Sequence, residues 1–209
     1  LPLALRGNLE SMDINKKNEN GYDLTAVLFT PDKESPGTVE SLVDFSEKVD
    51  ATWQHSPDGK KHEVTLTNVP AGMEGERTLR LSVSSNKLGV EKADVVTVNI
   101  PDQNDFSVYD VVYVSEPECY VEVAFTKLLD SAQDMRGLAF IAGNTSETVN
   151  VDGNKLRLYP DADLREKGAM NIHLNQGIRS KSGLNLKEAV VRQVVANEQK
   201  PNVRFIGKG

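Results

Sequence analysis

The chain has 209 residues, of which 38% are hydrophobic and 26% charged, an ordinary composition for a globular protein. This length suffices for one large domain or for two domains of about 100 residues each. The formal net charge of -7 is spread along the chain, which argues against nucleic acid or an anionic membrane surface as a partner. No apolar run approaches the roughly 20 residues that cross a bilayer.

Two further features of the sequence concern its compartment. Cys119 is the single cysteine, so no intrachain disulfide can form and folding does not depend on an oxidising environment. The first residue is Leu1 rather than methionine, and no basic segment with an apolar core precedes it. We therefore expect that a leader was removed or that the sequence was trimmed.

Alternating apolar and polar residues predict short strands throughout the first half. The apolar members of these alternations are Tyr22, Leu24, Ala26 and Leu28; Val49, Ala51 and Trp53; Val64 and Leu66; Leu79, Leu81 and Val83; and Val96, Val98 and Ile100. Turn residues separate the strands, as in SPDGKK at 56–61 and SSNKLG at 84–89. The last two strands of this half are predicted to form a hairpin.

The stretch PDQND at 101–105 has no large apolar side chain and is predicted to be a linker. Strand patterning then resumes at 108–114, at Cys119, Val121, Val123 and Phe125, at 138–142, at Val149 and Val151, at Leu156 and Leu158, at Met170, Ile172 and Leu174, and at 189–195. The residues DGN at 152–154 predict a tight hairpin between two of these strands.

The two halves follow one plan. Leu66 and Leu158 lie 92 positions apart, and Leu81 and Ile172 lie 91 apart. Each pair is followed by a similar order of turn residues and strands. The near-constant spacing predicts a module of about 90 to 100 residues that is used twice.

Many short strands with turn signals between them are typical of a β-sandwich. We predict an all-β protein with two tandem immunoglobulin-like β-sandwich domains, although neither half has the cysteine and tryptophan spacing of antibody domains. The predicted organisation is a sandwich at 1–101, a linker at 102–105, a second sandwich at 106–197 and the start of a following, truncated domain at 198–209. Helix is expected only in short turns, at 131–136 and, with an irregular strand as the alternative, within 38–49.

Few residues indicate chemistry. His55, His62 and His173 have no carboxylate or cysteine partner at metal-ligand spacing, so we predict three solvated histidines on strand faces. Cys119 shares the alternation of the apolar residues that follow it, which predicts a small buried side chain. Trp53 alternates with Val49 and Ala51 and is predicted to belong to the core.

Two polar stretches, NKKNENGYD at 15–23 and DADLRE at 161–166, lack the ligand order of a calcium-binding loop and are predicted to be polar loops. No glycine loop for phosphate and no Gly-x-Ser-x-Gly turn is present. We therefore predict no catalytic residue, no cofactor and no metal site, and hence that the chain is not an enzyme. The residues NTS at 144–146 fit the N-glycosylation pattern.

Four consecutive stretches of the second half resemble a known family. They are CYVEVAFTKLLDSAQDMRGLAFI at 119–141, VNVDGNKLRLYP at 149–160, GAMNIHLNQGIRSKSGLNLKE at 168–188 and PNVRFIGKG at 201–209. In this order they are similar to the amino-terminal region of bacterial alpha-2-macroglobulins, most closely those of Bacteroidetes. The resemblance covers residues 105–209, whereas the first hundred residues share only the sandwich pattern.

The resemblance implies a place near the front of a large exported protein that traps proteases, periplasmic or on the cell surface and lipid-anchored in full length. The family's capture chemistry uses a bait region and a Cys-Gly-Glu-Gln thioester, and neither matches this chain. Cys119 is followed by Tyr-Val-Glu, and Glu198 and Gln199 are preceded by Asn197. The fragment would act as structural and interaction modules.

The partners that the resemblance implies are other domains of the parent protein and, through the full-length protein, proteases. We expect a monomeric fragment. The residues DSA at 130–132 are similar to O-glycosylation sites of exported Bacteroidetes proteins, although an unmodified turn is expected. The alternative function is a stand-alone extracellular adhesin or carbohydrate-binding module, which would need exposed aromatic rings or a calcium loop.

Overall fold

The computed structural model describes residues 5–85, 90–146 and 148–196. The chain divides into two compact units, the first reaching to Gln103 and the second beginning at Asn104. Both are built from antiparallel strands, which confirms the predicted all-β architecture. The predicted turn at 86–89 and the segment at 198–209 lie outside the described residues.

Unit 1 contains seven described strands and one short helix. Their bounds are β1 (Arg6–Asn15), β2 (Asn18–Phe29), α1 (Pro36–Leu42), β3 (Val43–Phe45), β4 (Asp50–His55), β5 (Lys61–Pro70), β6 (Arg77–Ser85) and β7 (Val90–Ile100). The strands form two sheets, in the orders β1-β2-β5-β4 and β3-β6-β7. Lettered A to G in chain order, they read A-B-E-D and C-F-G, which is the arrangement of a constant-type immunoglobulin domain.

Unit 2 repeats this topology. Its elements are β8 (Val108–Val114), β9 (Tyr120–Phe125), β10 (Ala139–Ile141), β11 (Val149–Asp152), β12 (Lys155–Leu158), α2 (Ala162–Lys167), β13 (Ala169–Leu174) and β14 (Val190–Val195). The sheet orders β11-β12-β9-β8 and β10-β13-β14 again read D-E-B-A and C-F-G. Leu66 and Leu158 lie on strand E of their units, and Leu81 and Ile172 lie on strand F, as one plan used twice requires.

The core of each unit comes from the inward side of the alternating strands. In unit 1 the largest fully buried side chains are those of Tyr22, Leu24, Leu28, Leu66, Leu79, Leu81 and Ile100. In unit 2 the core includes Phe106, Phe125, Leu156, Met170 and Ile172, and the two phenylalanine rings stack with centroids 5.5 Å apart. Each buried Leu or Phe contributes about 1.5–3 kcal/mol relative to an exposed one, so these side chains dominate the stability.

The chain enters unit 2 through a dense set of hydrogen bonds. Thr126, directly after β9, accepts through Oγ1 from Ser107 N at 3.0 Å and donates through the same atom to Asp105 O at 3.1 Å. From the loop before β14, Lys187 N donates to Phe106 O at 2.9 Å, and Lys187 Nζ donates to Asp105 Oδ2 at 3.1 Å. The first residues of unit 2 are therefore hydrogen-bonded to one residue that follows a strand of the first sheet and to one residue that precedes a strand of the second sheet.

The expectation of a helix or an irregular strand within 38–49 is confirmed in part. Helix α1 starts after Ser35, whose Oγ accepts from Thr38 N, and the chain then turns directly into β3, so the stretch 38–49 contains both a helix and a strand. The expected helix at 131–136 is wrong. Asp130 and Asp134 accept backbone N–H bonds from residues two positions on, at 3.1 Å each, and such local bonds compete with a helix.

The second helix, α2, falls in the stretch predicted to be a polar loop. Asp161 caps it by accepting from Leu164 N at 3.1 Å, and Gly168 ends it in the left-handed conformation at φ 76°. Both are typical helix-terminating residues. Among the described residues, neither helix is long and apolar enough to cross a membrane.

Candidate functional site

The outer face of the β10-β13-β14 sheet is the most distinctive surface of unit 2. Cross-strand register places Phe140 opposite His173 and His173 opposite Val191. Because residues opposite one another point to the same side of a sheet, and residues two apart share a face, the outward set follows directly. We call this set the neutral face, and it consists of Phe140, Ala169, Asn171, His173, Val191, Gln193 and Val195.

The neutral face contains no Asp, Glu, Lys or Arg, and several of its side chains are apolar and open to solvent. Phe140 is 45% exposed, Val191 56% and Val195 36%. The rings of Phe140 and His173 lie parallel to within 1°, with centroids 5.0 Å apart. A flat, uncharged and partly apolar patch of this kind is typical of an interaction site.

The corresponding face of unit 1 is charged, although the two sheets have the same topology. There the outward residues include Asp44 on β3, Arg80 on β6 and Asp94 on β7. Arg80 and Asp94 form an ion pair of 3.5 Å. The neutral face is therefore a property of the second unit and not of the fold.

A cavity adjoins the neutral face at the open side of the sandwich, between β10 and β11. Its volume is ≈ 280 Å³, and its apolar lining comes from Phe140, Ile141, Val149, Leu158 and Tyr159. Phe140 thus borders both the cavity and the sheet face. This arrangement offers a place for a side chain of a partner that lies on the face.

Two of the segments that carry the family resemblance meet at one end of unit 2. They are the connection between β9 and β10 and the connection between β13 and β14. Asp130 N donates to Arg179 O at 3.0 Å, and the Arg179 guanidinium contacts the Asp130 carboxylate at 3.3 Å. Gln133 bonds to both Gly177 and Arg179, so the two loops are joined by side-chain as well as backbone hydrogen bonds.

The prediction of three solvated histidines is wrong for His62. Its side chain is fully buried, because it lies on the same side of β5 as Val64 and Leu66. His62 Nδ1 lies 2.8 Å from Nδ1 of His55, whose Nε2 lies 3.0 Å from Glu40 Oε1. A carboxylate partner is thus present, but it comes from α1 and cannot be read from local spacing.

The prediction that Trp53 belongs to the core is also wrong. Trp53 is half-buried, and Ala51 on the same strand is exposed, because β4 lies at the edge of its sheet. The Trp53 ring stacks on the His55 ring with centroids 5.9 Å apart and planes within 5°. Trp53 therefore covers the histidine pair rather than filling the core.

Cys119 lies outside the core as well. Strand β9 begins one residue later, so Cys119 belongs to the preceding loop, where its Sγ donates to Ser115 O at 3.4 Å. Hydrogen bonds from the Tyr113 hydroxyl and then the Arg165 guanidinium to the sulfur lower the pKa of the Cys119 thiol. The thiol is therefore partly accessible and more acidic than a typical cysteine.

The prediction of a polar loop at 15–23 is wrong, because β1 ends at Asn15, two residues turn, and β2 begins at Asn18. In 15–23, Asn15 Nδ2 donates to Asp23 Oδ1 at 2.8 Å, while Asn15 Oδ1 accepts from Lys17 N and Asn18 N in the turn between β1 and β2. In 161–166 the first carboxylate caps α2. No group of three or more His, Cys, Asp or Glu side chains within the described ranges is placed to hold a metal ion.

The two glycosylation patterns differ in accessibility. Asn144 donates both hydrogens of its amide, to Ser146 O at 2.6 Å and to Tyr159 O at 2.9 Å. Its Oδ1 accepts from Asp161 N at 2.8 Å. Ser131 is exposed at the tip of its turn. The folded protein therefore presents the serine and not the asparagine.

Comparisons with protein-family models and with curated proteins give no match. Among solved structures, the chain is similar to protocadherin gamma B7 extracellular cadherin domains 1–4, with 11% identity and a TM-score of 0.26. The similarity covers 91% of this chain and 51% of that one, so this chain spans about half of its length. This likeness carries no argument about function. The strand orders themselves define the chain as two immunoglobulin-like sandwiches in tandem.

Proposed function

We propose that the chain provides non-catalytic structural and interaction modules of a larger exported protein of the bacterial alpha-2-macroglobulin type. In this proposal, the neutral face of unit 2 is a contact surface for another domain of the same protein. The observation that carries this proposal is the contrast between the uncharged face of unit 2 and the charged face of unit 1.

The chemistry of the neutral face favours a protein partner. Covering Phe140, Val191 and Val195 removes apolar surface from water at about 25 cal/mol per Å². No charged group has to lose its hydration, which is the step that makes burial of charged surfaces costly. Asn171 and Gln193 retain amide groups that can exchange hydrogen bonds with the partner.

The size of the face favours a domain of the same chain over an independent partner. Two strands of six residues and one of three, at about 3.3 Å per residue and about 4.8 Å between strands, give about 240 Å². A stable independent complex buries about 800 Å² on each partner. A covalently connected domain needs less area, because the connection keeps it at high effective concentration. The isolated chain is then monomeric.

The resemblance supports the identity of the parent protein. Its segments in residues 119–188 follow one another from β9 to the loop before β14, and two of them are bonded to each other at one end of the unit. A parent of this type is exported to the periplasm or the cell surface and is held there by a lipid. Proteases would meet the full-length protein, at segments other than this one.

The gene sequence beyond Gly209 tests the identity of the parent. We expect more than about a thousand further codons, on the scale of a multidomain protein, with sandwich domains and a Cys-Gly-Glu-Gln thioester or its remnant. A stop codon shortly after Gly209 would overturn the proposal.

The contact surface is tested by charge substitution in the full-length protein. We expect Val191→Lys to increase the protease sensitivity of the connection that follows unit 2, because a buried lysine loosens the contact. Thr97→Lys, on the equivalent strand of unit 1, is the matched control and should leave the cleavage pattern unchanged. Equal patterns for the two variants would show that the neutral face does not contact another domain.

A second candidate function is binding of a neutral glycan, which the parallel rings of Phe140 and His173 beside two amides favour. Aromatic faces and amide groups recognise uncharged sugars. Titration calorimetry of the chain with soluble neutral polysaccharides tests it. Binding that is lost in Phe140→Ala supports a stand-alone glycan-binding module, and absence of heat with every polysaccharide excludes it.

A further inference from the structure

A polar cluster of unit 1, in which only His62 is fully buried, connects three separate elements. Glu40 lies on α1, His55 ends β4, and His62 lies near the start of β5. Two short bonds join them, of 3.0 Å between Glu40 Oε1 and His55 Nε2 and 2.8 Å between the Nδ1 atoms of His55 and His62. On the far side, His62 Nε2 lies 3.5 Å from Thr30 Oγ1, at the end of β2.

The chemistry of these bonds limits the number of protons that the cluster can hold. A carboxylate only accepts, so His55 Nε2 must donate to Glu40. Between the two Nδ1 atoms there is room for one hydrogen. One ring donates it and the other ring accepts it with a lone pair. If both Nδ1 atoms carried a proton, two N–H groups would face each other and the bond would be lost.

The geometry supports a shared proton rather than a bound metal ion. The ring centroids are 5.1 Å apart, with planes at 65°. With the Nδ1 atoms 2.8 Å apart, this centroid separation requires the two nitrogens to lie nearly on the line between the rings. Ligands of one metal ion would instead point together towards a third position, about 2.0–2.1 Å from each nitrogen.

The surroundings of the histidine pair are mostly acidic. Glu40 on α1 is bonded to His55, and the carboxylates that act on His62 are those of Glu34 before α1 and Asp58 in the turn between β4 and β5. Lys33 packs its side-chain carbons near Gly59 of the same turn. Burial, followed by the neighbouring His55, nevertheless lowers the pKa of His62.

We propose that Glu40, His55 and His62 form a pH-sensitive clasp between α1 and the edge strand β4. The clasp is closed while the two imidazole rings share one proton between their Nδ1 atoms. It opens when both Nδ1 atoms are protonated. The clasp matters because α1 has only seven residues and buries one side chain, Val39. A helix of this length is not stable in water without tertiary contacts.

The direction of the pH effect follows from the lowered pKa of His62. Below about pH 6.5, the ordinary value for histidine, the open form takes up a proton that the closed form does not. The closed clasp is therefore fully stable above about pH 6.5 and loses stability as the pH falls towards the lowered pKa. In this window the opening equilibrium changes about tenfold for each pH unit.

Hydrogen exchange of the complete 209-residue chain between about pH 5 and pH 7.5 tests the clasp. After correction for intrinsic exchange rates, we expect the protection of α1 and β4 to fall about tenfold per pH unit below about pH 6.5, with unit 2 unchanged. His55→Gln should make this dependence smaller, because the second ring no longer opposes protonation of His62, while burial continues to lower the pKa of His62. His173→Gln, a strand histidine of unit 2, is the matched control and should retain it.

Protection of α1 and β4 in the unsubstituted chain that does not change between about pH 5 and pH 7.5 would overturn the proposal, as would an unchanged slope in His55→Gln. If His55→Gln does not fold, Glu40→Gln provides a second variant at a side chain that is 44% exposed. The Glu40 carboxylate balances the positive charge of the imidazole ring that is protonated first. Without this carboxylate, the clasp should open at a higher pH. The same opening pH as in the unsubstituted chain would contradict the clasp.

Discussion

Gln133 and Arg179 are bonded across one end of unit 2, where Gln133 Oε1 accepts from Arg179 N at 2.8 Å. The other end of the same amide, Gln133 Nε2, donates to Gly177 O at 2.7 Å. One side chain therefore satisfies two backbone groups of a loop that is distant in sequence. In the loop between β13 and β14, the Gln133 side chain thus takes the place of the backbone hydrogen bonds that a neighbouring strand would provide.

Gln133→Ala should destabilise this end of unit 2. Two hydrogen bonds of a half-buried side chain are lost, and each contributes about 1 kcal/mol, so we expect a loss of about 2 kcal/mol. Hydrogen exchange at the amides of Ile178 and Arg179 measures the effect. Gln176→Ala is the matched control, since Gln176 is exposed and makes one bond of 3.2 Å, and an equal loss of protection in both variants would contradict the role of Gln133.

Asn144→Ala should destabilise unit 2 by about 2–3 kcal/mol. Three hydrogen bonds to backbone groups disappear, and their partners are left in a partly buried place. Urea denaturation followed by a unit 2 hydrogen-exchange probe gives the change in the free energy of unfolding. Asn150→Ala, at an exposed position on β11, should change that energy by less than about 0.5 kcal/mol. Similar losses for the two variants would refute this account.

Cys119 should react with iodoacetamide with a pH midpoint below about 8.5, the ordinary cysteine value. The Tyr113 hydroxyl donates to the thiolate and is the main cause of the lowered pKa. Tyr113→Phe should therefore move the midpoint upward, whereas Tyr120→Phe, in the same sheet, should not. A midpoint that is the same in all three proteins would show that the tyrosine does not act on the sulfur.

Asp161→Asn should reduce the acid sensitivity of unit 2. Backbone N–H bonds from Thr145 and Leu164 lower the pKa of the Asp161 carboxyl. A lowered carboxyl pKa stabilises the fold above about pH 3.9, and this stabilisation is lost as the pH falls through the lowered value. Carboxyl NMR titration of the unsubstituted protein measures the pKa directly. Thermal unfolding between about pH 2 and pH 5 should then show a smaller pH dependence in Asp161→Asn than in Asp163→Asn.

The sequence predicts the strands well because packing and local turn chemistry agree. The DGN turn predicts the β11–β12 hairpin, and its register pairs Val149 with Leu158 and Val151 with Leu156. The run of β-branched and aromatic residues from Val108 to Val114 gives the bounds of β8 as the structure has them. These elements depend only on residues that are close in sequence.

The predictions from the sequence fail at two kinds of position. At some, a shift of one residue in the alternation or at a strand end changes the environment of a side chain; at others, a contact with a residue distant in sequence determines the structure. The prediction for His62 overlooks that it has the same parity as Val64 and Leu66, which indicates an inward side chain. Cys119 has the right parity, but the strand begins after it. The Asp161 cap and Gly168 are signals for α2, yet six residues are too short for a helical period to be recognised.

The neutral face could not be found from the sequence of any one strand. Phe140, His173 and Val191 are separated by long stretches of chain and become neighbours only through the C-F-G strand order. The same holds for Glu40 and His55, which belong to a helix and an edge strand. Cross-strand register creates the neutral face, and the contact of α1 with the end of β4 brings Glu40 to His55.

The hydrogen bonds at the start of unit 2 have a mechanical consequence. A pulling force applied through Asp105 and Phe106 first reaches Thr126, which continues β9, and Lys187, which precedes β14. These residues belong to opposite layers of the sandwich. The load is therefore divided between two sheets before β8 can be peeled away, and the domain would resist extension at its entrance more than its short first strand suggests.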